Sequence, residues 1–177
     1  MAAFDIAGNK PRTLKRRGKG SDPTVGFVVD YTERPWRIVR FDFIPGGDAD
    51  WEGKYRLIES VYREYGCPYV LVDVTGTQDS VQEALQNRGV EVEGIHFGGN
   101  GNKKFDMLRN LQVVMEMDWG ASRGVLRSPE IPQLKFELEH YIIPDDDITQ
   151  DCVMALAMVC YEIAQFELPA AASGEVW

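Results

Sequence analysis

Apolar and polar positions alternate along Thr24 to Tyr31 (TVGFVVDY) and again along Trp36 to Ile44 (WRIVRFDFI), the period of two of a half-buried strand. Thr32, Glu33, Arg34 and Pro35 lie between them as a turn, so the two runs predict an antiparallel hairpin, with Ala2 to Ile6 (AAFDI) as a short strand before it. From Asp50 to Gly66 the spacing changes. Trp51, Tyr55, Leu57, Ile58, Val61, Tyr62 and Tyr65 form a helical stripe that stops at Gly66, a residue suited to the left-handed position after a helix. Tyr69 to Val74 (YVLVDV) is apolar without alternation, as in a parallel strand covered on both faces. The pattern then predicts a helix around Ser80 to Asn87, a strand over Val90 to Phe97, a loop from Gly98 to Asn102 and a helix over Lys103 to Met117. After these come a short extended piece at Val125 to Arg127, a helix over Gln133 to Tyr141 and a terminal core helix over Cys152 to Phe166. No repeat or linker interrupts this order. The expectation is one α/β domain over residues 1–177, with a core at about 3–166 and a flexible tail at 167–177. Its mixed sheet opens with a three-strand antiparallel meander, continues with parallel strands and is flanked by helices.

Composition changes little in this picture. At 177 residues, 44% hydrophobic and 27% charged, the chain is ordinary for a globular fold. No apolar run reaches the roughly 18 residues of a membrane helix, and no secretory signal opens the chain, so a cytoplasmic, membrane-free protein is expected. Cys67, Cys152 and Cys160 show no CxxC spacing, and His96 and His140 lie far from them, which speaks against zinc.

Charge changes more. The net charge of −9 argues by itself against a nucleic-acid partner, because phosphate binding is mainly electrostatic. The distribution is uneven, however. Residues 10 to 20 hold six bases (Lys10, Arg12, Lys15, Arg16, Arg17, Lys19) and no acid, leaving 13 bases against 28 acids elsewhere. One basic loop is joined to a very acidic body.

Several chemistries are excluded by what is missing. GGNGNKK at 98–104 lacks the GxxxxGK[ST] spacing of a phosphate-cradling loop, and neither GxSxG nor HExxH is present. The carboxylates are more informative. Asp5 lies in a short apolar run, Asp73 ends VLVDVTG where a buried strand becomes a loop, and Asp151 starts an almost wholly apolar helix. Burying an ionised carboxylate is costly unless it is compensated, and strand C-terminal edges are where open α/β sheets bind ligands. Each position also has a structural explanation: Asp5 as a turn cap, Asp73 as an Asx-turn acceptor before Thr75-Gly76, and Asp151 as a complement to the helix dipole. Should the three converge, each pair at ~4 Å repels by about 4 kcal/mol at an effective dielectric of ~20. A hard divalent cation, Mg²⁺ or Mn²⁺, removes that penalty, and two such ions support phosphodiester hydrolysis.

The order of these motifs resembles the ribonuclease H-like nuclease superfamily, and within it the C-terminal nuclease domain of a tailed-bacteriophage terminase large subunit, the DNA-packaging motor. FDIAG at 4–8 with SDPTVGFVV at 21–29 is similar to the family's first two strands. YVLVDVTGTQDSVQEALQNRG at 69–89 is similar to its strand-acid-Thr-Gly-helix segment, and DITQDCVMALAMV at 147–159 to its terminal helix. IHFGGNGNKKFDMLRNL and SPEIPQLKFELEHY match a lysine-bearing helix and a Pro-x-L-x-x-E-L pattern. The resemblance covers about residues 3–165.

It implies a metal-dependent endonuclease acting on double-stranded DNA with two Mg²⁺ or Mn²⁺ ions, and with Asp5, Asp73 and Asp151 as catalytic acids and metal ligands. The family's terminal helix commonly carries two adjacent acids. Here Gln150 precedes Asp151, and Asp147, four residues earlier, is the candidate auxiliary ligand. Lys15, Arg16, Arg17 and Lys19, together with Lys103 and Lys104, are the candidate phosphate contacts. With no P-loop, the chain reads as a nuclease domain excised from a protein with an N-terminal ATPase domain, whose partners by resemblance are the portal and the small terminase subunit. A junction resolvase, an RNA–DNA hybrid nuclease and a non-catalytic DNA- or partner-docking domain are the alternatives.

Overall fold

The computed structural model describes residues 1–6, 23–46, 50–75, 80–97, 102–119, 122–142 and 150–167. In chain order the elements are β1 (Ala2–Asp5), β2 (Thr24–Asp30), β3 (Trp36–Ile44), α1 (Trp51–Tyr65), β4 (Val70–Asp73), α2 (Ser80–Gln86), β5 (Val92–Ile95), α3 (Asn102–Glu116), β6 (Asp118–Trp119), β7 (Ser122–Arg123), β8 (Leu126–Arg127), α4 (Pro132–His140) and α5 (Asp151–Glu167).

The expected hairpin forms between β2 and β3, and β1 adds antiparallel to β2 to complete the meander. On its other side β1 runs parallel to β4, and β4 runs parallel to β5, which gives the strand order β5-β4-β1-β2-β3-β8. Helix α1 ends as the sequence predicts. The Asp50 side chain accepts the Gly53 N–H at 2.7 Å, and Gly66 takes the left-handed conformation (φ 54°) that closes the last turn on Tyr62.

One detail refines the expectation and two differ from it. The strand expected over Val90 to Phe97 is confined to Val92–Ile95, because the Val90 N–H bonds back to the Leu85 carbonyl of α2 (3.1 Å) instead of joining the sheet. The extended piece near residue 125 is an outer strand: Leu126 and Arg127 pair parallel with Trp36 and Arg37. The β6–β7 ribbon, with two residues per strand, is too short for any periodicity to reveal. The tail expected at 167–177 lies, beyond Glu167, outside the described residues.

Two apolar layers cover the sheet. Side chains alternate between the faces of a strand, so even-numbered Ala2 and Phe4 of β1 and Val70 and Val72 of β4 pack with Ile58, Val61, Val81 and Leu85 of α1 and α2. Odd-numbered Ala3 and Leu71 pack with Val25, Phe27 and the helices α3, α4 and α5. Every residue from Cys152 to Cys160 is buried, as befits a helix that is apolar on all sides and lies between the sheet and two other helices. Gly26 faces Phe4 across the β1–β2 pair, and a Cβ there would overlap the Phe4 ring. Among the described residues, no helix is long and apolar enough to cross a membrane.

Candidate metal centre

The alternation that sorts the core also sorts the acids. Asp5 follows Ala3 and Asp73 follows Leu71 at a spacing of two, so both carboxylates belong to the face that α5 covers. Each is the last residue of its strand. The parallel register that pairs Phe4 with Val72 brings Asp5 and Asp73 side by side at the C-terminal edge. Asp151 is the first residue of α5, which packs across β1 and β2 on that same face. The next residue connects the set: burial raises the Cys152 thiol pKa, and the negative charges of Glu137, Asp151 and Asp5 raise it further. All three predicted acids are half-buried. The three cysteines are buried free thiols.

Asp73 shows the competition most clearly. Burial pushes its carboxyl pKa above the ordinary value, while hydrogen bonds from Thr75 and the positive charges of His96 and Lys104 pull it back. The Thr75 N–H donates to Asp73 Oδ1 at 2.7 Å, so the Asx turn weighed as a structural explanation is formed. The Thr75 hydroxyl in turn accepts the Phe97 N–H at 2.8 Å, tying the turn after β4 to the end of β5.

The two candidate lysines of α3 separate. Lys103 is exposed, whereas Lys104 is half-buried and its charge acts on Asp73. Lys15, Arg16, Arg17, Lys19 and Asp147 lie outside the described residues. Among the described residues, no three His, Cys, Asp or Glu side chains are gathered closely enough to enclose a metal ion.

One residue was not singled out from the sequence. Glu137 of α4 is 4% exposed, and its Oε2 accepts the Val153 N–H at 3.0 Å, in the first turn of α5. Burial raises its pKa, and hydrogen bonds from Val153 and from the backbone and thiol of Cys152 oppose that rise. The available signal was an acid on an apolar stripe: Glu137 lies three residues after buried Leu134 and is the acid of the Pro-x-L-x-x-E-L pattern.

No protein-family model matches the sequence, nor does any curated protein. Solved structures do match. The large terminase nuclease from thermophilic phage G20c with bound zinc superimposes with a TM-score of 0.65 and 23% identity, covering 82% of this chain and 76% of that one. The same nuclease with bound magnesium gives 0.65 and 21% over 83% and 78%, and with bound cobalt 0.64 and 21% over 80% and 75%. At these identities the likeness is one of fold: the chain has the ribonuclease H-like mixed sheet of a phage large terminase nuclease.

Proposed function

We propose that this chain is a metal-dependent endonuclease that hydrolyses phosphodiester bonds of double-stranded DNA, the genome-cleaving domain of a tailed-phage packaging terminase. The observation that carries this reading is the placement of Asp5 and Asp73 at the ends of adjacent parallel strands, on the face from which α5 begins with Asp151. The shared fold adds to it, since the phage nuclease was solved with divalent metals.

The donor set fits a hard cation. It consists of carboxylate oxygens, and Mg²⁺ and Mn²⁺ keep most of their waters and take only one or two protein carboxylates each, so no close cage of three is required. Asp5 and Asp73 would hold the metals, Asp151 would complete one coordination shell, and Asp147 is the auxiliary candidate. When bound, such ions supply an activated water and stabilise the leaving oxygen of the phosphodiester. The chain's own groups prepare for this. His96 and Lys104 favour the ionised form of Asp73, and the Thr75 N–H fixes its Oδ1. Lys15, Arg16, Arg17 and Lys19, with Lys103, would grip the phosphate backbone beside an otherwise acidic edge. In the complete protein an ATPase domain would precede this one, and the portal and small subunit would be partners of that larger motor.

The test is nicking of supercoiled plasmid in Mn²⁺ and in Mg²⁺, with EDTA and an Asp73→Asn variant as controls, and with linear duplex, a four-way junction and an RNA–DNA hybrid compared side by side. Metal-dependent cutting of duplex that the variant lacks is expected. Equal cutting by the variant refutes the three-acid mechanism, and a strong preference for junction or hybrid refutes the substrate.

A further inference from the structure

A side chain from another helix reaches the first turn of α5. The residue before Asp151 is Gln150, which is not a capping type, and its Oε1 is approached by the Tyr141 hydroxyl at 3.4 Å. Its carbonyl accepts the Met154 N–H at 2.8 Å, so the helical ladder of α5 begins at Met154 and the N–H groups of the first turn lie ahead of it. A carboxylate from another helix takes two of them: Glu137 accepts from Val153 at 3.0 Å and from the Cys152 backbone, and is also bonded to the Cys152 thiol. Glu137 is buried and fixed at one end by the α4 backbone, so the position of the start of α5 follows α4. A local cap would stabilise the helix but would leave that position free. Asp151 is the residue next to this clamp.

We infer that Glu137 is a positioning residue for Asp151: by clamping the first turn of α5 onto α4 it aims the Asp151 carboxylate at the edge that holds Asp5 and Asp73. This rests on the metal-nuclease reading. The mechanism is geometric, through the length of the side chain and its acceptor oxygen. A misplacement of a reacting group by about 1 Å can cost up to about a hundredfold in rate.

The experiment uses the full chain as wild type, Glu137→Gln, Glu137→Asp and Asp151→Asn, with Mn²⁺ affinity by calorimetry, kcat and KM for plasmid nicking, and Tm in EDTA. Asp151→Asn is expected to weaken Mn²⁺ binding about tenfold and serves as the reference. Glu137→Gln keeps the length and an oxygen for the Val153 N–H but gives up one acceptor, so its Mn²⁺ affinity and kcat fall by no more than about threefold, less than in the shorter variant. Glu137→Asp, one methylene shorter, lowers both about tenfold at unchanged KM for DNA. If Glu137→Asp loses Tm but keeps Mn²⁺ affinity and kcat, Glu137 is only a structural cap and the inference fails. If Glu137→Gln is as impaired as Glu137→Asp, charge or the second acceptor matters and side-chain length does not, which also overturns it. A wild type that binds no Mn²⁺, or an Asp151→Asn variant that binds like wild type, refutes the metal reading itself and this role with it.

Discussion

Asp73→Asn separates what the candidate site costs the fold from what it gains on binding metal. Asp5 and Asp73 end neighbouring parallel strands in register, and such strands lie about 4.8 Å apart. At that separation two unit charges repel by about 3 kcal/mol at an effective dielectric of ~20. Both groups are half-buried, and water at the edge reduces the usable figure to roughly 1 kcal/mol. Asparagine keeps an oxygen for the Thr75 N–H that now bonds Asp73. It gives up the attraction of His96 and Lys104, but burial outweighs that attraction and raises the Asp73 pKa, so removing the charge still favours the fold. In EDTA the variant should therefore melt about 2–4 °C higher than wild type, the shift expected per kcal/mol for a chain of this size. In Mn²⁺ the order should reverse. A ligand at a hundred times its Kd stabilises by about 2.7 kcal/mol, or roughly 5–11 °C, and the variant should lose most of that gain. Thermal melts by circular dichroism, in EDTA and across a Mn²⁺ titration, give both numbers. Curves that do not cross, with the variant less stable in EDTA or equally stabilised by Mn²⁺, would show that the two carboxylates neither repel nor share a cation.

Gly26→Ala would drive a methyl group into the Phe4 ring, and overpacking of this kind should cost about 1–3 kcal/mol in urea unfolding; an unchanged midpoint would mean that the ring moves aside freely. Burial raises the Glu137 pKa above its ordinary 4.5, so in that window the folded chain holds a proton that the unfolded chain releases. Stability from this group is complete below the ordinary value and is lost as pH rises through the folded one. The unfolding free energy of wild type minus that of Glu137→Gln, measured in EDTA from about pH 4 to pH 7, should fall accordingly, and a flat difference would contradict the raised pKa. Reversing the charge of Arg16 and Arg17 should weaken duplex binding and make the salt dependence of log K shallower by about 2; an unchanged slope would remove the basic segment at 10–20 from the DNA interface.

Much of the fold was legible because its causes are local. Asp50 and Gly66 bracket α1 as a cap and a left-handed stop, and the unbroken apolar run at Tyr69 to Val74 reads as a doubly covered strand, which is how β4 lies, with Val70 and Val72 in one apolar layer and Leu71 in the other. Asp73 stood out by the same logic, as a charge at the end of a run that excludes water. Less of the site was legible. Lys103 and Lys104 are neighbours of the same type, and only the angular position of α3 makes one exposed and lets the other act on Asp73. Glu137 was visible as part of a pattern, but its partners at Cys152 and Val153 lie on another helix.

The sequence by itself determined where most of the strands and helices run, that the meander precedes the parallel strands, and that acids end two strands and begin the last helix. These follow from side-chain period, turn chemistry and the cost of burying charge, all of which act within a few residues. Only the tertiary structure decided that Asp5 and Asp73 stand in register on the same face, that α5 covers that face with Asp151 at its start, and that Glu137 ties that start to α4. Strand register and helix docking are set by contacts between segments far apart in the chain, where packing and not local preference selects the pairing.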